Sequence, residues 1–141
     1  MLRYPIVLKE DGTGAVMVEF PDFPRVHTYG DGRDDAPHRA LGAVETGIIA
    51  LMADREDIPD PSPRRGRPVV TLGTQATMKV HLYRAMRAAG VRNAALARRL
   101  GATPTEVGRL LDLRHNSRIA KLDEALRVLG KSYDVRLRDA A

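Results

Sequence analysis

The residues whose types and spacing point most directly to chemistry lie in Asn93-Ala94-Ala95-Leu96-Ala97-Arg98-Arg99-Leu100-Gly101-Ala102-Thr103-Pro104-Thr105-Glu106-Val107-Gly108-Arg109-Leu110-Leu111, and the chemistry is recognition rather than bond making. Ala97 is small where a second helix must cross closely over the first. Gly101 follows four residues later, where the chain must turn with a positive φ that glycine adopts at little cost. Asn93 is placed to cap the first helix and Thr103 the second. Pro104 takes the favoured first position, and Glu106, three after Thr103, completes a capping box. Leu96, Leu100, Val107 and Leu110 fall on the inward sides. An ordinary pair of packed helices is the competing reading, but the coincidence of small residue, glycine, capped proline and inward leucines favours a helix-turn-helix.

Such a motif sets the start of its second helix into the DNA major groove. Thr103, Thr105 and Arg109 occupy the outward face, and Gly108 allows close approach. Arg109 is the first candidate for base readout, because a guanidinium bonds two acceptors on guanine. Asp112 is unfavourable there unless it accepts from cytosine. Just beyond, Arg114, His115, Asn116 and Arg118 read as contacts to the phosphate backbone, with Arg92, Arg98 and Arg99 as further cations on the first helix. One helix in one groove seldom suffices for tight specific binding, so a two-fold dimer on a palindromic operator of double-stranded DNA is expected, with half-sites about 34 to 36 Å apart.

The elements that must carry these residues follow from pattern. Arg3 to Lys9 and Ala15 to Phe20 are rich in β-formers and flank the turn signal Asp11-Gly12-Thr13-Gly14, which predicts a hairpin. Arg25 to Tyr29 reads as a third strand. Ala36 or Pro37 to Ala53 repeats apolar residues at Ala40, Leu41, Val44, Ile48, Leu51 and Met52, the spacing of one amphipathic helix. Pro59 to Pro68 holds four prolines and cannot continue that helix; it reads as a stiff, extended connector. Val69 to Leu72 then completes the N-terminal sheet, and helices are predicted at 78–89, 94–100, 104–111 and 119–129. Alternation in Tyr133-Asp134-Val135-Arg136-Leu137 predicts a short terminal strand able to pair with its copy in a dimer. The fold class is α+β: a βββαβ domain over residues 1–73, including the connector 59–68, and a helical domain over 74–141.

Charge divides the chain at nearly the same place. The net charge of +5 combines a first stretch, residues 1–60, with 6 Lys and Arg against 12 Asp and Glu, and a remainder with 17 against 6. The basic part suits nucleic acid and the acidic part a basic protein surface. Without cysteine there is no disulfide, thiol nucleophile or thiolate metal site, and with two Phe and no Trp there is no platform for stacking single-stranded bases. No apolar run approaches the roughly 20 residues that span a bilayer. Met1 to Lys9 does not read as a secretory signal, so the cytoplasm is expected.

The sequence resembles the HicB antitoxin family along nearly its whole length, through Arg3-Tyr4-Pro5, Val16-Met17-Val18-Glu19-Phe20-Pro21-Asp22-Phe23-Pro24, Thr28-Tyr29-Gly30-Asp31, the Pro-rich connector and the helix-turn-helix. The resemblance implies a truncated, non-catalytic ribonuclease H-like first domain that covers a small basic ribonuclease toxin of the HicA type. It further implies a second domain that represses the operon's promoter. Arg25 departs from the glycine common there, and Arg33 to His38 reshapes the entry to the helix. Phe20, Asp22, Phe23, Pro24, Tyr29 and Asp31 are the candidates for toxin contact. Phe23 reads equally as an anchor on a rigid loop or as a side chain that covers the sheet.

Enzymatic activity is not expected. A two-metal nuclease needs several converging carboxylates, normally with one in the first strand, and Arg3 to Lys9 has none. Glu19, Asp22 and Glu45 remain, with no spacing that marks them as a set. His27, His38, His81 and His115 lack metal-ligand spacing. No cofactor or metal is implied. The alternative to an antitoxin is a stand-alone dimeric regulator whose N-terminal domain senses a small molecule, and assembly beyond the dimer stays open.

Overall fold

A computed structural model describes residues 1–140; Ala141, the end of the expected second domain, lies outside the described residues. Among the described residues there are five helices and two small sheets, and the chain divides into two compact units, 1–77 and 78–141. The division falls inside the helix Thr74–Ala89.

Unit 1 opens with two strands, β1 (Arg3–Pro5) and β2 (Val7–Glu10), where one was expected. β1 pairs antiparallel with β5 (Val69–Thr71), whereas β2 pairs with β3 (Val16–Glu19), so the extended segment changes partner at Ile6. Pro5 has no amide to donate, and the Ile6 amide turns aside to the Pro68 carbonyl at 2.9 Å. β3 also pairs with β4 (His27–Gly30), giving the order β2-β3-β4. At the β2–β3 turn the Asp11 carboxylate accepts from the Thr13 hydroxyl at 2.6 Å and the Thr13 amide at 2.9 Å, which holds its pKa below the ordinary value.

Along β3, Val16 and Val18 are buried while Met17 and Glu19 face outward, the period of two expected of a half-covered sheet. Helix α1 (Ala36–Ala53) buries Ala36, Ala40, Val44 and Ile48, one stripe at four-residue steps. These side chains share the core of unit 1 with Tyr4, Ile6, Phe20, Phe23 and Leu72. Gly30 ends β4 against the start of α1; a Cβ there would lie 2.4 Å from the Ala36 amide nitrogen, so only glycine fits.

The Pro-rich connector is fastened rather than free. The Tyr4 hydroxyl donates to the Pro59 carbonyl at 2.8 Å, and the Asp22 carboxylate accepts from the Ser62 amide at 3.0 Å and from its hydroxyl. Residues 64–67 are exposed, and the turn there carries positive φ at Arg65 and Gly66.

Unit 2 is built on α2 (Thr74–Ala89), α3 (Asn93–Leu100), α4 (Pro104–Leu111) and α5 (Ile119–Arg127). α2 starts four residues before the expected Met78, and α5 stops two before the expected Leu129. Leu82, Met86, Val91, Leu96, Val107, Leu122 and Leu126 form its core. The expected terminal strand is not formed: residues 131–140 carry no strand, because a strand needs a partner edge and the other elements of this unit are helices. Tyr133 is held by its hydroxyl, which donates to the Met78 carbonyl at 2.7 Å, and burial raises its pKa to about 12. Val135 and Leu137 beyond it are exposed.

Candidate functional site

α3 and α4 have the local chemistry that a helix-turn-helix requires. Gly101 closes α3 in the left-handed region at φ 64°, and the Ala102 amide returns to the Ala97 carbonyl at 2.9 Å. Thr103 then caps α4: its hydroxyl accepts from the Glu106 amide at 3.2 Å, and its own amide donates to the Glu106 carboxylate at 2.7 Å. The Thr103 amide holds the Glu106 carboxyl below the usual range. A cap of this kind stabilises a helix by about 1 kcal/mol. Leu96, Ala97, Val107 and Leu110 are buried as expected, with Leu100 half-buried beside them.

Asn93 does not cap α3. Arg92 occupies the cap position with extended backbone, its carbonyl accepting the Leu96 amide at 2.9 Å, so the helix begins one residue earlier and Asn93 sits half-buried in its first turn. The outward side of α4 presents Thr105 and Arg109, both exposed, with Thr103 already engaged in its cap. An added Cβ at Gly108 would meet nothing within 4 Å, so internal packing does not demand glycine there. Arg114, His115, Asn116 and Arg118 are all exposed in the turn after α4, whose shape is fixed in part by the Arg114 amide donating to the Asp112 carboxylate at 3.0 Å.

Sequence reasoning missed the residue that organises this region. Lys79 on α2 is fully buried, and its ammonium donates to the carbonyls of Arg109 at 3.0 Å, Asp112 at 2.6 Å and His115 at 2.6 Å. It also reaches the Ser117 hydroxyl oxygen at 2.9 Å. Ser117 in turn lies 3.2 Å from His115 Nδ1 and donates to the Arg109 carbonyl at 3.3 Å. Burial pushes the ammonium below its ordinary pKa, with the Asp112 carboxylate opposing. The available signal was position: Lys79 stands three and four residues before Leu82 and Tyr83, on the apolar stripe of α2.

In unit 1 the expected partner-contact residues separate. Phe20 and Phe23 are core residues, 2% and 4% exposed, and Phe23 meets the edge of Tyr4 with ring centroids 4.8 Å apart. Phe23 therefore covers the sheet and is not an exposed anchor. Asp22 is turned to Ser62. Pro24, Tyr29 and Asp31 remain at the surface, Tyr29 at 49% exposure beside His27. Together with Val7, Met17 and Glu19, Pro24 and Tyr29 line a shallow depression of about 440 Å³ on the outer face of the β2-β3-β4 sheet.

Of the carboxylates weighed for catalysis, Glu19 pairs with Lys9 at 2.9 Å and Asp22 with Ser62. Among the described residues no group of three His, Asp or Glu is placed to hold a metal ion. No helix among them is long and apolar enough to cross a membrane.

Residues 3–81 match the family described as HicB_like antitoxin of bacterial toxin-antitoxin system. A Photorhabdus laumondii protein named antitoxin HicB 2 is 38% identical over 95% of this chain and 95% of its own length. An antitoxin HicB of Pseudomonas fluorescens is 33% identical over 93% of this chain and 90% of its own. For an antitoxin HicB of Escherichia coli K12 the figures are 32%, 95% and 98%. With the match covering more than half of the residues, and with relatives aligned nearly end to end, the chain belongs to the HicB-like antitoxin family of bacterial toxin-antitoxin systems.

Proposed function

We propose that this chain is an antitoxin with two linked tasks: unit 1 occludes the RNA site of a small basic HicA-like ribonuclease, and unit 2, as a dimer, represses its own operon from a palindromic operator. The observation that carries the DNA half is the tight αL turn and double cap between α3 and α4, which leave Thr105 and Arg109 exposed on one side of α4. Gly108 supports it, because a helix-interior glycine costs about 1 kcal/mol that no internal contact requires. Arg109 reads base edges in this scheme; Arg114, His115, Asn116 and Arg118 hold phosphates, with Asn93 at the start of α3 beside them.

The partner half rests on family membership and on the excess of 12 acidic over 6 basic residues in positions 1–60. A sheet covered on one face by α1 fits a partial ribonuclease H-like domain. Its outer face, with Pro24, Tyr29 and Asp31, is the surface for the toxin; Phe20, Asp22 and Phe23 shape that surface from within. Glu19, paired with Lys9, and Asp22, bonded to Ser62, support a domain that binds rather than cleaves.

One observation favours the regulator that senses a small molecule: a groove of about 770 Å³ between α1 and residues 22–28, with Arg25 and Arg39 among its lining. Coexpression with the short open reading frame beside the gene, then pull-down and mass measurement, separates the readings. A stoichiometric basic polypeptide whose growth arrest this chain relieves is the expected result. DNA binding without such a polypeptide favours the sensor.

On the DNA side, Arg109→Ala is expected to weaken binding to the operator by about 10- to 100-fold, the discrimination of roughly 1 to 3 kcal/mol carried by one bidentate base contact. Binding to unrelated duplex changes much less. Equal losses on all sequences in a fluorescence-anisotropy titration reject the base-reading role.

A further inference from the structure

We propose that Lys79 is a positioning residue for DNA recognition, its buried ammonium fixing α4 and the turn after it in the one arrangement that lets base and phosphate contacts form together; this rests on reading α3 and α4 as the DNA-binding motif. Lys79 lies on α2, outside that motif, and is fully buried, so it touches no nucleic acid itself. Its acceptors are what make it informative. They are the carbonyl of Arg109, the candidate base reader, the carbonyl of His115 in the candidate phosphate-contact turn, and the carbonyl of Asp112 between them. The two groups of contacts are therefore tied, through their own main chain, to a single nitrogen atom.

The neighbouring helices end differently from α4. α2, α3 and α5 each run on into a glycine of positive φ, at Gly90, Gly101 and Gly130, the usual device for satisfying the last carbonyls of a helix. α4 has none: Asp112 leaves in extended conformation and no glycine follows until Gly130. The ammonium takes the glycine's place, with a charge that favours a helix C-terminus. It differs in one respect. A glycine closes only its own helix, whereas the three donors of Lys79 also gather the segment up to Ser117.

The test uses the full chain and a labelled duplex of the DNA immediately upstream of its coding sequence, titrated over a range of salt. Lys79→Cys gives a unique thiol, since the chain has no cysteine, and alkylation with 2-bromoethylamine in denaturant restores an ammonium at nearly the original reach on refolding. The unalkylated variant is expected to bind at least about 30-fold more weakly, with the slope of log affinity against log salt smaller by about 2, as expected when two phosphates are no longer neutralised. The aminoethylated form is expected to recover both to within about threefold. Ser117→Ala keeps the ammonium and its carbonyls and decides the matter if Lys79→Cys does not fold. A loss of about 3- to 10-fold with a smaller salt slope and little change in melting temperature supports the proposal. Wild-type affinity and slope in Ser117→Ala, or in folded Lys79→Cys, overturn it and leave the DNA interface standing. A wild-type chain that binds no DNA removes the interface and the positioning role together.

Discussion

Lys79→Met is expected to destabilise unit 2 by about 3 kcal/mol, since the carbonyls of Arg109, Asp112 and His115 lose a charged donor, a kind of bond that contributes about 1.5 to 3 kcal/mol, offset in part by the apolar side chain now buried there and by the main-chain amides that still reach the first two. For a unit of this size that lowers the unfolding midpoint by about 15 °C. Calorimetry of the variant against the wild type checks it, and a midpoint within about 2 °C of the wild type would mean that water or backbone rearrangement replaces the ammonium without loss. Stability also acquires a pH dependence. The buried ammonium has its pKa below the ordinary 10.5, so the folded chain binds that proton less tightly than the unfolded one. Folding stability therefore climbs as pH rises from the lowered value towards 10.5, and Lys79→Met lacks this climb. Tyr133 works in the opposite sense: with its pKa raised to about 12, its share of stability is complete below about 10 and is lost between there and 12. The region below about pH 10 is the place to see the lysine.

Gly30→Ala is expected to have a comparable effect on unit 1 and none on the DNA contact. The new methyl group would stand 2.4 Å from the Ala36 nitrogen and 2.5 Å from its Cα, main-chain atoms that cannot swing aside as a side chain does. Either β4 leaves its register, in which Gly30 faces Val16, or α1 shifts at its first turn. Overpacking of this sort costs typically about 1 to 3 kcal/mol, and the backbone contact puts this position at about 3. Gly32→Ala is the control, because a Cβ there meets nothing within 4 Å. In the coexpression assay Gly30→Ala is expected to capture far less partner than Gly32→Ala, while both bind duplex DNA within about threefold of the wild type. Loss of DNA binding in Gly30→Ala alone would show that the two units do not act separately.

Much of unit 2 was legible because its signals are local. Gly101, Thr103, Pro104 and Glu106 act on residues within one turn of themselves, and each takes the conformation its type prefers. The hairpin turn at Asp11 to Gly14 and the stripe of α1 are local in the same way. Asn93 marks the limit of such reading. Asparagine is a good cap, yet a helix takes its start from where the preceding chain is held, and burial of Val91 leaves Arg92 in the cap position.

The features that escaped are those set by partners distant in sequence. Nothing in Arg3 to Lys9 says that the segment changes strand at Ile6, since the cause is the carbonyl of Pro68, far along the chain. Phe23 could be an anchor or a cover until Tyr4 took its ring edge and buried it. Alternation at Tyr133 to Leu137 promised a strand, but alternation supplies only a face and not the edge that a strand must join. Lys79 is the clearest case. Its residue type argues for the surface, and only the folded unit brings the carbonyls of Arg109, Asp112 and His115 within reach of its ammonium. By itself, then, the sequence determined the charge of each half, the family and the capped turn between α3 and α4, because these rest on composition and on neighbours along the chain. The tertiary structure decided which aromatic rings are core, where strands find partners and how the end of α4 is held, because each depends on groups that only folding brings together.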